Sequence, residues 1–172
     1  AQVNLLDDNG EPTETDVTLT FYDNFTGIPK YNYIHTMNHK GNPDTMAIDP
    51  VLSYKVIAHT IPKVESDIIT LKPGKHTIIP IKAGQGELEI KINTKESYDF
   101  IIRKDTGILN VQNINSTAKY LTGKYNIELL TLPRMYFKDV EIKQSQKTTY
   151  TIPHPGIANI LLPSAGFGGI YE

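Results

Sequence analysis

Two similar stretches of sequence decide how this chain of 172 residues is interpreted. The first is YKVIAHTIPKV, residues 54–64, and the second is YNIELLTLPRM, residues 125–135. The offset of 71 residues between Tyr54 and Tyr125 recurs between Pro62 and Pro133. Self-similarity at a fixed period is typical of chains in which one structural unit is repeated. The sequence therefore predicts one unit used twice.

Apolar positions on either side of these stretches keep the same spacing. The matched pairs are Val56 with Ile127, Ile61 with Leu132, Ile69 with Val140, Leu71 with Ile142, and Ile81 with Ile152. One residue is then lost, so that Gly86 of GELEIKI matches Gly156 of GIANILL. These matches predict a first repeat over residues 1–85 and a second over residues 86–155. Residues 156–172 are interpreted as the start of a truncated third repeat or as a closing strand.

Alternation of apolar and polar residues predicts an all-β fold. The segment VTLTFY, residues 17–22, alternates Val, Leu and Phe with Thr and Tyr, as expected of a strand with one buried face. Turn-forming clusters such as DDNGEP and KPGK separate the runs. The predicted strands are 17–22, 31–37, 53–60, 67–71, 76–81, 87–92, 97–104, 107–114, 124–131, 138–142 and 148–152. Short strands at this spacing favour two β-sandwiches, each with two sheets of three or four strands.

Composition limits the classes of partner. A net charge of −2 with 39% apolar and 21% charged residues is typical of a globular protein. Lys and Arg are scattered, so the sequence does not predict a nucleic-acid partner. No apolar run approaches the roughly 20 residues of a membrane-spanning helix. The absence of cysteine excludes disulfides and thiolate metal sites.

An acidic segment, DDNGEPTETD at residues 7–16, is the first candidate site. It supplies the hard oxygen ligands that calcium prefers. The candidate calcium ligands are Asp7, Asp8, Asn9, Glu11 and Asp16, with Glu14 beside them. The same letters also spell a turn between strands and lack the ligand spacing of an EF-hand loop. The turn is the favoured interpretation, so that no metal or other cofactor is predicted.

A second polar cluster combines two histidines with two aspartates: His35, His39, Asp44 and Asp49. Zinc needs convergent ligands with supporting partners, whereas these residues lie among turn residues without a known ligand spacing. A solvated loop is therefore favoured over a zinc site. Serine-hydrolase, nucleotide-binding and dinucleotide-binding motifs are missing from the sequence, which predicts a protein that is not an enzyme.

The tyrosines provide the candidate ligand-binding residues. The chain has 10 of them, and the loop-like stretch YNYIHTMNH places Tyr31 and Tyr33 where aromatic faces could stack on sugar rings. Packing in the core or at its rim is the favoured interpretation of most tyrosines. Carbohydrate binding through Tyr31 and Tyr33 remains the alternative.

Longer phrases carry a resemblance to a known region. TLTFYDNFTGIPKYNYIHTMNHKGNPDTMAIDPVLSYKVIAHTIPKV, LKPGKHTIIPI, GELEIKI, YNIELLTLPRM and PHPGIANILLPSAGFGGIYE together resemble the region downstream of the von Willebrand factor A domain in secreted or surface-anchored proteins of Bacteroidota. LLDDNGEP, DVTLTF and PGKHTI more loosely resemble carboxypeptidase-regulatory, prealbumin-like and PEGA repeats. The von Willebrand metal-binding motif, Asp-x-Ser-x-Ser, is absent. Its ligand site is therefore not carried over.

The resemblance implies an all-β chain of tandem small immunoglobulin-like or prealbumin-like sandwich repeats on the outside of a bacterium, at the cell surface or in the periplasm. Its expected role is a non-catalytic stalk or interaction segment of a larger protein that supports adhesion or protein–protein interaction. The alternative is a carbohydrate-binding module. The partner, a protein or a glycan, is not specified by the residues. The apolar segment 157–162 predicts either packing on the second repeat or self-association through a strand edge.

Overall fold

The computed structural model describes residues 1–93 and 95–153. Within these residues the chain forms fourteen β-strands and no helix, so the all-β prediction is confirmed. The strands form several small antiparallel and mixed sheets. Over the same residues, no helix has the length and apolarity needed to cross a membrane.

The N-terminal half of the described chain, residues 1–82, contains seven strands in two sheets. They are β1 (Gln2–Leu6), β2 (Val17–Asp23), β3 (Pro29–His35), β4 (Ser53–Ala58), β5 (Val64–Glu65), β6 (Ile69–Thr70) and β7 (Ile78–Lys82). The larger sheet has the order β3-β2-β4-β5, and β6 also pairs with β4. The smaller sheet pairs β1 with β7 in parallel.

The C-terminal half, residues 85–152, also contains seven strands in two sheets. They are β8 (Gln85–Ile92), β9 (Asp99–Lys104), β10 (Gly107–Asn113), β11 (Thr117–Leu121), β12 (Gly123–Leu129), β13 (Met135–Ile142) and β14 (Lys147–Ile152). One sheet has the order β10-β9-β12-β13, and the other has the order β11-β8-β14. In the second sheet β14 runs parallel to β8.

The two halves share one strand order. The strand order β3-β2-β4-β5 of the first half corresponds to β10-β9-β12-β13 of the second, and the parallel pair β1 and β7 corresponds to β8 and β14. Register agrees as well, because Tyr54 pairs with Ile69 and Tyr125 pairs with Val140. Both pairs stand at the predicted offset. Strand β11 has no counterpart in the N-terminal half.

Each half buries its own hydrophobic cluster, to which both of its sheets contribute. The first cluster includes Val3 of β1 and Phe21 of β2, and the second includes Leu88 of β8 and Phe100 of β9. These apolar residues face inward at every second position along their strands, as period-two alternation requires.

A buried tyrosine occupies the matched position in each cluster. The Tyr54 hydroxyl donates to the Asp49 carbonyl at 2.8 Å, and the Tyr125 hydroxyl donates to the Leu121 carbonyl at 2.8 Å. Burial raises the pKa of Tyr54 to about 12, with a contribution from Tyr31, and burial likewise raises the pKa of Tyr125 to about 12. Both phenols therefore act as neutral donors, which attach the loop at Asp49 and the end of β11 at Leu121 to the core.

The structure differs from the predicted strands and from the predicted sheet sizes. Strands β1, β5 and β11 were not predicted, and the predicted strand 67–71 is reduced to β6. The sheets have two, five, three and four strands rather than three or four each. Strands β1 and β11 are short, and they pair with β7 and β8, which lie elsewhere in the sequence. The predictions for residues 156–172 lie outside the described residues.

Candidate functional site

Within the acidic segment at residues 7–16, residues 7–11 form the turn that the sequence favoured. The Asp7 carboxylate accepts the backbone N–H groups of Asn9 and Glu11 at 2.8 and 2.9 Å. These hydrogen bonds, above all that from Glu11, lower the pKa of Asp7. Gly10 takes the positive φ of 86° that the turn needs.

The remaining acidic residues of this segment do not converge on one point. The Asp8 carboxylate accepts the Thr122 hydroxyl at 3.3 Å, whereas the backbone N–H of Asp16 donates to the His35 carbonyl at 2.8 Å. Across residues 1–93 and 95–153, no group of three or more His, Asp or Glu side chains could hold a metal ion.

The histidine and aspartate cluster is also dispersed. The Thr36 hydroxyl donates to Asp44 at 2.5 Å, and Asp49 accepts the N–H of Val51 at 2.9 Å. His39 lies exposed in the loop that follows β3. His35 instead is buried at the end of β3, and within the described part of the chain neither ring nitrogen reaches a partner with good hydrogen-bond geometry.

Burial is the main influence on the ionisation of His35. It lowers the pKa of the imidazole, against the opposing effects of the backbone of Glu14 and Val3 and of the carboxylate of Asp44. The neutral ring is therefore the form that the folded protein accommodates.

Tyr31 and Tyr33 form a stacked pair at the rim of the first cluster. Their ring centroids lie 6.2 Å apart at an interplanar angle of 24°, and both side chains pack against the core. The Tyr33 hydroxyl donates to the Ala47 carbonyl at 3.1 Å, and the Tyr31 hydroxyl accepts the Asp49 N–H at 3.4 Å. These contacts fasten the loop between β3 and β4 to the rim of the core.

A buried polar site lies at the junction between the two halves of the described chain. Glu14, on the loop between β1 and β2, is almost completely buried. One of its carboxylate oxygens accepts the backbone N–H of Gln85 at 3.2 Å and the side-chain amide of Gln144 at 3.1 Å. The other oxygen lies 3.9 Å from the ammonium group of Lys119. A carboxylate of the N-terminal half thus holds three segments of the C-terminal half.

A polar cleft opens beside this carboxylate. It has a volume of about 290 Å³, and its lining includes Gln85, Lys119 and Lys147. The side chain of Gln85 is buried, and its Nε2 has no hydrogen-bond partner within the described residues. Lys147 is paired with the carboxylate of Glu89 at 2.9 Å. The formal charges of the cleft balance, because Glu14 and Glu87 line it together with Lys119 and Lys147.

Two apolar side chains cross the junction in opposite directions. Ile61, between β4 and β5, packs against the second cluster, and Leu121, at the end of β11, packs against the first. The backbone N–H of Leu121 donates to the Ile61 carbonyl at 2.8 Å, and the N–H of Thr122 donates to the Gly84 carbonyl at 2.9 Å. The two halves consequently share apolar burial and backbone hydrogen bonds as well as the Glu14 contacts.

Charge pairing also stabilises the outer surface of the second half. Glu128 of β12 lies 3.1 Å from Arg103 of β9 and 2.5 Å from Arg134 in the following loop. Hydrogen bonds from Arg103 and then Arg134 lower the pKa of this carboxyl. The pairs link neighbouring strands and leave Glu128 ionised.

Sequence reasoning missed the junction. Glu14 was noted only beside the candidate calcium ligands, while Gln85 and Gln144 carried no signal of their own. Ile61 did appear in the repeat alignment, where it matched Leu132. Nothing in that alignment distinguished a side chain at an interface from one in solvent.

Comparison with known proteins finds a distant structural likeness and no family. No protein-family model matches the chain, and no curated protein matches it either. Among solved structures, the chain is similar to "The Bacillus anthracis TIE protein", with 17% sequence identity and a TM-score of 0.35. The match covers 88% of this chain and 33% of the other, so the chain spans about a third of that protein.

Proposed function

We propose that the chain is a tandem pair of small β-sandwich repeats that acts as a stiff spacer or interaction segment in a larger extracellular bacterial protein. In this role it holds neighbouring domains at a fixed separation and presents loops and strand edges to partners. The shared strand order, the two separate hydrophobic clusters and the matched tyrosines Tyr54 and Tyr125 support the division into repeats.

The observation that carries this proposal is the junction around Glu14. A flexible linker would leave the two halves free to reorient, whereas here Glu14 and Ile61 contact the second half, and Leu121 contacts the first. A buried carboxylate is costly unless its oxygens are paired, so separating the halves would leave Glu14 without its partners. The apolar contacts of Ile61 and Leu121 add to this cost of separation. Stiffness is the property that a spacer requires.

Placement outside the cell, as a surface or periplasmic segment that supports adhesion, rests on the resemblance of the sequence to regions downstream of von Willebrand factor A domains. The Glu14 junction is independent of that resemblance, so that the mechanical part of the proposal can be tested separately.

Nuclear magnetic relaxation of the full chain tests the stiffness. We expect amides of both halves of the wild-type protein to report one common rotational correlation time. The double substitution Glu14→Ala with Ile61→Ser should separate the correlation times of the two halves while each half stays folded. Glu11→Ala with Ile108→Ser is the control on exposed positions and should leave the common value unchanged. Independent tumbling of the wild-type halves would refute the spacer function.

Carbohydrate binding is the alternative function, and the partly exposed pair Tyr31 and Tyr33 is the feature that favours it. A glycan array of the wild-type protein, repeated with Tyr31→Ala and Tyr33→Ala, distinguishes the two functions. Binding that is lost in either variant, with folding intact, would establish the alternative.

A further inference from the structure

The loop between β1 and β2 contacts the loop between β13 and β14 through three side chains. The Nε2 atom of Gln144 donates to the Thr13 hydroxyl oxygen at 3.0 Å and to the Glu14 carboxylate at 3.1 Å. Thr13 and Gln144 stand 131 residues apart in the sequence, on opposite sides of the junction between the halves. A hydroxyl, a carboxamide and a carboxylate therefore meet where the two halves join.

The carboxamide of Gln144 lies in a tight and incompletely paired environment. Its Oε1 atom is buried and has no hydrogen-bond partner within the described residues. This oxygen lies directly against Gly84, where a β-carbon would collide with it. The Gly84 carbonyl in turn accepts the Thr122 N–H at 2.9 Å, which fixes this part of the backbone. A buried amide oxygen without a partner is costly, so hydrogen bonding alone does not explain why Gln144 is held here.

The three groups have complementary chemical roles. A threonine hydroxyl becomes a nucleophile when an adjacent base removes its proton. The Cδ atom of Gln144 is bonded to the nitrogen that contacts the Thr13 oxygen, so the nucleophile and the carbonyl carbon are neighbours. Glu14 contacts the same nitrogen, which is the atom that departs when a carboxamide is attacked. Glu14 is also almost completely buried, which limits competition from water.

We propose that Thr13 and Gln144 form an ester cross-link between the two halves. The Oγ1 atom of Thr13 attacks Cδ of Gln144, and the Glu14 carboxylate accepts the hydroxyl proton. The bond between Cδ and Nε2 then breaks, and Glu14 passes the proton to the nitrogen, which leaves as ammonia. One C–O bond replaces one C–N bond, so the reaction needs no oxidant, reductant or co-reactant.

Proximity and burial account for both the formation and the persistence of the ester. Groups held in contact react as if they were at very high concentration, so a reaction that is negligible between free side chains proceeds in the folded chain. Ammonia is protonated and diluted in the solvent, which opposes the reverse reaction. An ester carbonyl is a weaker hydrogen-bond acceptor than an amide carbonyl. Burial of the oxygen beside Gly84 is therefore less costly after the reaction.

The cross-link makes the junction between the halves covalent. It joins residue 13 to residue 144 and encloses most of the described chain in one loop, which removes conformations from the unfolded state. It also prevents the halves from separating. This consequence deepens the spacer function and rests on it, whereas the chemistry rests only on the contacts of Thr13, Glu14 and Gln144.

Intact-mass spectrometry of the purified full chain tests the reaction. Wild-type protein should weigh about 17 Da less than its sequence, because one ammonia is lost. A tryptic digest should contain residues 1–30 joined to residues 144–147, and mild alkali should separate the two peptides by hydrolysing the ester. Thr13→Val and Gln144→Leu should have the full sequence mass. Thr13→Ser keeps the hydroxyl and should retain the loss.

Matched controls come from the same two loops. Thr15 and Gln146 are exposed neighbours, and Thr15→Val and Gln146→Leu should both retain the ammonia loss. Glu14→Gln removes the base and should slow cross-linking by about a hundredfold, measured by intact mass in aliquots from cell-free synthesis. Circular dichroism should show that every variant is folded. A Glu14→Gln chain that cross-links as fast as wild type would refute the role of Glu14 as the base.

Three outcomes would overturn the cross-link. The first is folded wild-type protein with the full sequence mass. The second is an ammonia loss confined to the unjoined peptide 1–30, as a succinimide at Asn9 before Gly10 would give. The third is a loss of about 18 Da with Lys119 joined to Glu14, which is the loss of water in an amide bond. A common correlation time for the halves of an uncross-linked chain would leave the spacer function standing.

Discussion

Ile61 and Leu132 provide a matched pair for measuring what the junction contributes to stability. Both side chains follow a threonine that donates to a proline carbonyl, and both are cut back to the β-carbon by substitution with alanine. Complete burial of such a side chain is worth about 1.5–3 kcal/mol, and truncation within a packed site adds a cavity cost. Ile61 is partly buried against the second cluster. We therefore expect Ile61→Ala to lower the free energy of unfolding by about 1–2 kcal/mol.

Leu132→Ala should change the free energy of unfolding by less than about 0.5 kcal/mol, because the side chain is 98% exposed. The assay is equilibrium urea unfolding followed by circular dichroism at low protein concentration, where copies are separate. Loss of the shared contact should also broaden the Ile61→Ala transition, or split it into two, as the halves cease to unfold together. Equal effects of the two substitutions would refute the assignment of Ile61 to the junction.

Three further predictions concern other sites. Burial lowers the pKa of His35 in the folded protein, so the unfolded chain binds the proton more readily. The free energy of unfolding should therefore fall as pH drops below about 6.5. Urea unfolding between pH 7 and 5 should show that His35→Gln flattens this decline. The Gln112 side chain accepts the buried Tyr120 hydroxyl at 2.7 Å and donates to the Ser116 carbonyl at 2.8 Å. Gln112→Ala should therefore lower the free energy of unfolding by about 2–3 kcal/mol in the same assay. A change near zero would contradict the buried network. A chelator should leave the melting temperature unchanged, because the Asp7 carboxylate accepts hydrogen bonds within its own turn. A calcium site filled at a hundredfold excess over its dissociation constant would instead add about 2.7 kcal/mol to the free energy of unfolding.

Local patterning accounts for the parts of the fold that could be read from the sequence. Strand β2 was predicted because Val17, Leu19 and Phe21 alternate with polar residues, and burial of those three side chains reproduces the pattern. The offset between Tyr54 and Tyr125 likewise placed two structurally matched positions. Such signals survive because side-chain direction in a strand depends only on neighbours along the chain.

Strands β1 and β11 depended on partners far away in the sequence. The segment Gln2–Leu6 alternates, but it is only five residues long, and its ladder is completed by β7 at residues 78–82. The segment Thr117–Leu121 has a single fully buried side chain, Tyr120, and it pairs with β8. Short strands with weak alternation are specified by the sheet that accepts them.

The sequence alone determined an all-β chain with two matched segments, and only the tertiary structure decided which matched residues differ in role. Ile61 and Leu132 have the same local context, yet one is packed against a second core and the other lies in solvent. Glu14 reads as one acid among several, but its partners Gln85 and Gln144 stand 71 and 130 residues further along the chain. The burial of a side chain at the junction depends on surfaces that come into contact only after both halves have folded. Local sequence patterns therefore do not predict it.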